Sequence, residues 1–246
     1  MVRIRYRALK DPARIRRMFD AVARRYDLLN RLLSFGLDQR WRAKTARLMM
    51  TGGRARVLDV CTGTGDLAIV CAIAAEKATI VGLDFSQPML SLAGSKLARR
   101  ALSERVGLVR GDALHMPFRD NSYDAAAIAF GARNLQDLER GICEMARVVR
   151  PGGTIAVLDL VTPTNRLMRF YLQRLLPLIG GIVSRMPGSA YDYLAESVLA
   201  FLEPAALAKL MRQCGLANVT VHDVRLGVAT VCTGETPAEG AESASK

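Results

Sequence analysis

A chain of 246 residues, half of them apolar, can bury one sizeable core and little more, so one domain is expected. No run of about 18 apolar residues is free of charges and breakers, and the start MVRIRYRALKDPARIRR offers no apolar stretch for a signal peptide, which points to a soluble, cytosolic chain. The net charge of +12 lies wholly at the N-terminal end: residues 1–56 hold 16 Lys and Arg against 4 Asp and Glu, and residues 57–246 hold 19 of each.

Such a basic arm meets nucleic acid or anionic lipid, or is a solvated helix face. Apolar residues at Ile15, Met18, Phe19, Val22 and Ala23 recur at spacings of three and four, so helix begins by about residue 15 and leaves little to cleave as an organellar leader. Two or three N-terminal helices are expected. After TGGR, short β-rich runs (RVLDVC, ATIVGLD, RVGLVRGD, YDAAAIAF, TIAVLDLV) alternate with helical ones, which predicts a parallel sheet covered on both faces. An apolar helical insertion over residues 162–202 follows, then a helix in PAALAKLMRQCG and two strand-like runs, NVTVHDV and GVATVCT. The domain is expected to span 1–234, with 1–52 as a basic helical lid and 235–246 as a small, polar, disordered tail. The five cysteines lie far apart with no C-x-x-C pair, so neither a disulfide framework nor a zinc site is expected.

Ligands of open parallel sheets bind at the carboxyl ends of the strands. Here the first strand ends in CTGTGD, the second in GLDFS with Asp84, the third in RGDALHMPF with Asp112 and the fourth in AFGARN. Asp84 follows Gly63 by 21 residues, the distance at which an acid reaches a ribose diol in a β-α-β nucleoside site. A pyrophosphate would be repelled by Asp59 in the first strand and Asp66 at the head of the next helix, so the ligand should carry positive charge. S-adenosylmethionine, with its ammonium, sulfonium, ribose and adenine, fits. Glycines 63 and 65 would let the backbone approach it, Asp59 or Asp66 would attract the ammonium, Asp84 would hold the ribose hydroxyls and Asp112 would accept from the adenine amino group.

The glycine turn, the strand-end acids and the PGG turn of RVVRPGGTIAVLDL resemble those of class I S-adenosylmethionine-dependent methyltransferases, which implies a Rossmann-like, mostly parallel sheet of seven strands. Four further stretches, YDLLNRLLSFGLDQRWR, GDALHMPFRDNSYD, AFGARN and YDYLAESVLAF, are similar to the quinone C-methyltransferases of menaquinone and ubiquinone synthesis, the UbiE/MenG type, over roughly residues 15–234. The cofactor-binding set this resemblance implies is Asp59, Gly63, Thr64, Gly65, Asp84, Phe85, Asp112, Ala113 and Ala129. Three departures fall outside the cofactor half: LDLV at 158–161 in place of L-E-F-S, YLAESVLAFL in place of Y-L-P-x-S-I-x-x-F-P, and Cys232 where the family has a histidine.

The resemblance implies methyl transfer to a ring carbon of a prenylated hydroquinone, with demethylmenaquinol favoured and the benzoquinol of ubiquinone synthesis open. A neutral aromatic carbon is a poor nucleophile, so a hydroxyl with an ordinary pKa of about 10 must lose its proton. Arg133 is then expected to stabilise the oxyanion or orient a deprotonating water, and Asn134 and Tyr26 to position the ring. His115 and His222 map to no base and are expected to be structural. A long-tailed quinol lies in the bilayer, so the basic arm is expected to draw the protein to the anionic inner face of the membrane, and the insertion to offer the tail an apolar wall. Arg169, Arg174, Pro177 and the glycines 180 and 181 argue against that insertion spanning the bilayer. A nucleic-acid methyltransferase would share the cofactor half, but there is no N-P-P-[YFW] tetrad, no reactive P-C motif and few aromatics for stacking, so no nucleic-acid partner is expected; a homodimer is left open.

Overall fold

A computed structural model describes residues 11–50, 55–161, 193, 196–224 and 229–238. Helix α1 (Pro12–Leu33) begins where Asp11 caps it, its carboxylate accepting the Ala13 amide at 3.1 Å, with Pro12 at the first helical position. It ends at Leu33, a turn through the left-handed Phe35 (φ 52°) and Gly36 (φ 74°) follows, and α2 (Leu37–Met49) starts at once. Trp41 anchors α2 to the body. Its indole donates to the Val224 carbonyl at 2.7 Å and its ring lies 6.2 Å from that of Phe130. Arg42 stacks on the same Phe130 ring, 4.8 Å from the centroid.

The body alternates β1 (Arg56–Val60), α3 (Asp66–Ala74), β2 (Thr79–Asp84), α4 (Gln87–Arg99), β3 (Val106–Arg110), β4 (Tyr123–Ala129), α5 (Leu138–Val148) and β5 (Val149–Leu160). Helix α6 (Pro204–Gln213), β6 (Ala217–Asp223) and β7 (Ala229–Glu235) complete it. The strands form one seven-stranded sheet in the order β3-β2-β1-β4-β5-β7-β6, parallel except that β7 runs antiparallel to both neighbours. Alternate residues of each central strand go to opposite cores. Val57, Ala125 and Ala127 join one apolar cluster with Trp41, Leu67 and Leu97, while Leu58, Ala126 and Ile128 join a second with Ile142, Met145 and Met211. Both faces are thereby covered, and the strand order reverses between β1 and β4, the position where such a sheet opens a crevice.

Two expectations change. Cys143 on α5 and Cys214 at the end of α6 are joined by a disulfide, their Cα atoms 5.0 Å apart and 71 residues apart in sequence. Two packed helices bring them together, and no local spacing reports such a contact. Reduction, or Cys143→Ser, should cost roughly 2–4 kcal/mol and lower the melting midpoint; an unchanged midpoint would show that the bridge adds nothing. The sheet also runs past residue 234: Glu235 ends β7, and Thr236 is tied down, donating to the Arg150 carbonyl and accepting the Gly153 amide at 3.0 Å. Residues 239–246 and most of the 162–202 insertion lie outside the described residues.

Candidate active site

The turn after β1 is built from left-handed residues, Cys61 (φ 56°), Gly63 (φ 56°) and Gly65 (φ 81°), which fold it back over the sheet edge. A Cβ at Gly63 would meet nothing within 4 Å, so this glycine borders open space. Two carboxylates hold the turn. Asp84 accepts the Gly63 amide at 2.8 Å and the Ser86 amide at 2.9 Å, and Asp59 accepts the Thr62 hydroxyl at 2.6 Å and the Ala68 amide at 3.0 Å.

A cavity of about 430 Å³ opens there, in the range that holds a small-molecule ligand. Of the sequence candidates, Gly63, Asp84, Phe85, Asp112, Ala113, Ala129, Asn134 and Tyr26 line it. Helix α1 lines it with Ala13, Ile15, Arg16, Phe19 and Tyr26, the rings of the last two set edge to face at 5.8 Å. Helix α1 is fastened to the body by carboxylates outside the candidate set. Asp20 accepts from the Ser86 hydroxyl, and Asp27 accepts from the Thr64 hydroxyl at 2.6 Å and from Lys96 at 2.7 Å; Lys96, almost buried, also pairs with Asp66. Asp27 was visible inside YDLLN, but nothing in the sequence singled out Lys96.

Four candidates lie behind the cavity wall instead of in it. Asp59 is 1 % exposed and turned into the loop, Thr64 spends its hydroxyl on Asp27 and Lys96, and Gly65 packs on Ala93. Arg133 is buried against Asp159, which also accepts the Arg133 backbone amide at 3.0 Å, and donates to the Phe130 carbonyl at 3.0 Å. Burial opposes the Arg133 charge, but the carboxylate of Asp159 beside it outweighs burial and holds the guanidinium ionised. Asp66, the alternative for the ammonium, is likewise occupied by Lys96. Of the histidines, His115 meets Arg140 and Asp112, and His222 contacts the Thr233 hydroxyl at 2.9 Å.

Burial pushes the Asp59 carboxyl from its ordinary 3.8 up to about 7, against the pull of the Thr62 hydroxyl, the Arg42 charge and the Ala68 amide. The folded chain therefore holds this proton more tightly than the unfolded one, so the stability it contributes is present at low pH and lost as pH climbs from about 4 to about 7. Burial raises Asp84 as well, with the same sign. Asp59→Asn should flatten the fall in urea midpoint between about pH 4 and pH 7; a slope equal to that of the parent would mean the proton sits elsewhere.

The charge pattern suits a cationic ligand with hydroxyls: Asp84 and Asp112 lie in the wall with Asp20 near Asp84, and Arg16 is the cation lining it among the described residues. The strand order, the lone antiparallel β7 and the glycine turn at the switch point define the class I S-adenosylmethionine-dependent methyltransferase fold. A solved SAM-dependent methyltransferase of Thermotoga maritima shares it, with a TM-score of 0.63 at 18 % identity over 89 % of this chain and 98 % of that one. The family model of the ubiE/COQ5 methyltransferase family matches residues 7–236, and the chain belongs to that family. It is 44 % identical to the demethylmenaquinone methyltransferase of Thermus thermophilus, over 89 % of this chain and all of that one. It is 41 % identical to the ubiquinone/menaquinone biosynthesis C-methyltransferase UbiE of Geobacter sulfurreducens, over 94 % of this chain and 91 % of that one.

Proposed function

We propose that the protein methylates a ring carbon of a prenylated hydroquinone, with demethylmenaquinol as substrate and S-adenosylmethionine as donor. The observation that carries this is one cavity in which Asp84 and Asp112 meet Asn134 of the AFGARN turn and Tyr26 of the lid, beside an ionised Arg133. The names of the relatives in Thermus and Geobacter agree with it.

When bound, the donor supplies a methyl group on a sulfonium, ready for in-line displacement. The open space at Gly63 would admit its close approach, Asp84 would hold its ribose hydroxyls with the lone pairs not used on Gly63 and Ser86, Asp112 would receive its adenine amino group, and Phe85, Ala113 and Ala129 would give it apolar walls. On the quinol side, Phe19 and Tyr26 flank the ring and Asn134 meets its oxygen. Arg133 acts at one remove, since its charge lies behind the wall and favours an anionic oxygen in front of it. The hydroxyl proton would leave to water, the ring carbon would take the methyl as the methyl–sulfur bond breaks with its electron pair kept by the sulfur, and the ring proton would then leave to water and restore aromaticity. Deletion of the gene should make a cell accumulate demethylmenaquinone; accumulation of an undermethylated benzoquinone would name the other ring, and an unaltered quinone profile would reject the reading.

A tail-bearing quinol must be met at a bilayer, and no helix of the described residues is long and apolar enough to cross one. The basic segment 1–56 offers attraction of about 1 kcal/mol per well-placed cation to an anionic leaflet. Arg16 lines the cavity and is left intact in the test. Neutralising Arg3, Arg5, Arg7, Arg14 and Arg17 should weaken binding to anionic vesicles and cut activity on a long-tailed quinol, yet spare a short-tailed analogue. Binding in the parent should fade with salt, as charges are screened over about 8–10 Å; equal, salt-independent binding to neutral vesicles would contradict recruitment by charge.

A further inference from the structure

Tyr193 lies in the YDYLAESVLAF stretch, outside the candidate set, and is 7 % exposed. Its hydroxyl donates to Oδ1 of Asn134 at 2.9 Å. The other end of that amide, Nδ2, donates to the Phe130 carbonyl at 3.4 Å, the same oxygen that takes Arg133 Nη1 at 3.0 Å. A carbonyl can only accept, so the Phe130 oxygen must face the NH2 end of Asn134, and Tyr193 must then meet the amide oxygen as a donor. With Oδ1 held by Tyr193 and one N–H on Phe130, the other N–H is the donor this amide has left to offer, and Asn134 lines the cavity.

The difference matters for an oxygen that must become anionic. An amide N–H facing it lowers the cost of losing the proton, whereas an amide oxygen facing it would repel the charge. Tyr193 and Asn134 also stand by Arg133, whose charge the Asp159 carboxylate supports. We propose that Tyr193 is a positioning residue whose hydroxyl fixes the Asn134 amide so that an N–H, not the carbonyl oxygen, meets the substrate's oxygen. This rests on the hydroquinone reading of the site.

Tyr193→Phe removes one buried hydroxyl and keeps the ring. With a short-tailed demethylmenaquinol it should lower kcat about ten- to a hundredfold, the range for a hydrogen bond to a charged group, while S-adenosylmethionine affinity stays near that of the parent. The acid limb of the pH profile for kcat should move up by about one unit, because the quinolate is less favoured. In an Asn134→Ala background the same change should do almost nothing, since Tyr193 has no amide left to orient. Asn134→Asp keeps an acceptor for Tyr193 but presents no N–H, and should lose at least as much activity as Tyr193→Phe. An unmoved pH limb, an equal loss in both backgrounds, or full activity of Asn134→Asp would each overturn the proposal and leave Tyr193 a packing residue. A parent protein that methylates no quinol would instead refute the hydroquinone reading, and the positioning role would fall with it.

Discussion

Asp159→Ala should destabilise the protein by roughly 3–5 kcal/mol, because it strands the Arg133 guanidinium in the interior. Asp159 is fully buried, pairs with Arg133 and accepts two backbone amides, those of Arg133 and Leu160, the latter at 2.8 Å. The unfolding midpoint in urea measures the loss. Replacing both partners with apolar residues, Arg133→Met with Asp159→Leu, should restore much of the stability, since neither charge is then buried alone. It should not restore methyl transfer, which is expected to stay about a hundredfold or more below the parent if the Arg133 charge favours the quinolate. A stable double variant with full activity would reduce the pair to a structural role.

Asp84→Ala should weaken S-adenosylmethionine binding by roughly 1.5–3 kcal/mol, about ten- to a hundredfold in Kd, through loss of charge-assisted hydrogen bonds to the ribose. The same carboxylate holds the Gly63 and Ser86 amides, so part of the loss will come from a loosened turn. Asp84→Asn separates the two: it can still accept from one of these amides but no longer brings charge. Calorimetric titration of both variants, with a melting curve to show that each is folded, distinguishes the contributions. Unchanged affinity in folded Asp84→Ala would remove the ribose from the end of β2.

The alternation of short β-rich runs with helical ones made the parallel sheet legible, and within each strand neighbouring apolar residues feed opposite cores, as Val57 and Leu58 do. Strand ends were legible for the same reason, and they led to Asp84 and Asp112. What periodicity does not report is which way a strand-end side chain turns. Asp59 sits in the glycine motif yet bonds back into the turn, and Arg133 in AFGARN turns away from the cavity to meet Asp159. Partners far apart in sequence were illegible altogether: Lys96 with Asp27, 69 residues away, and Cys143 with Cys214, 71 away. The stretch GLDQRWR, a mark of the family, serves packing here through Trp41 and Arg42 on Phe130.

Methyl transfer to a quinol in a purified system is the decisive assay of the proposed reaction. The protein would be incubated with S-adenosylmethionine carrying a trideuterated methyl group and, in parallel, with demethylmenaquinol in anionic vesicles and with an RNA pool. The expected product is a menaquinone bearing the trideuterated methyl on a ring carbon, formed one for one with S-adenosylhomocysteine, with no label in RNA. An unlabelled quinone from protein that binds the donor normally, or label in the RNA alone, would contradict it.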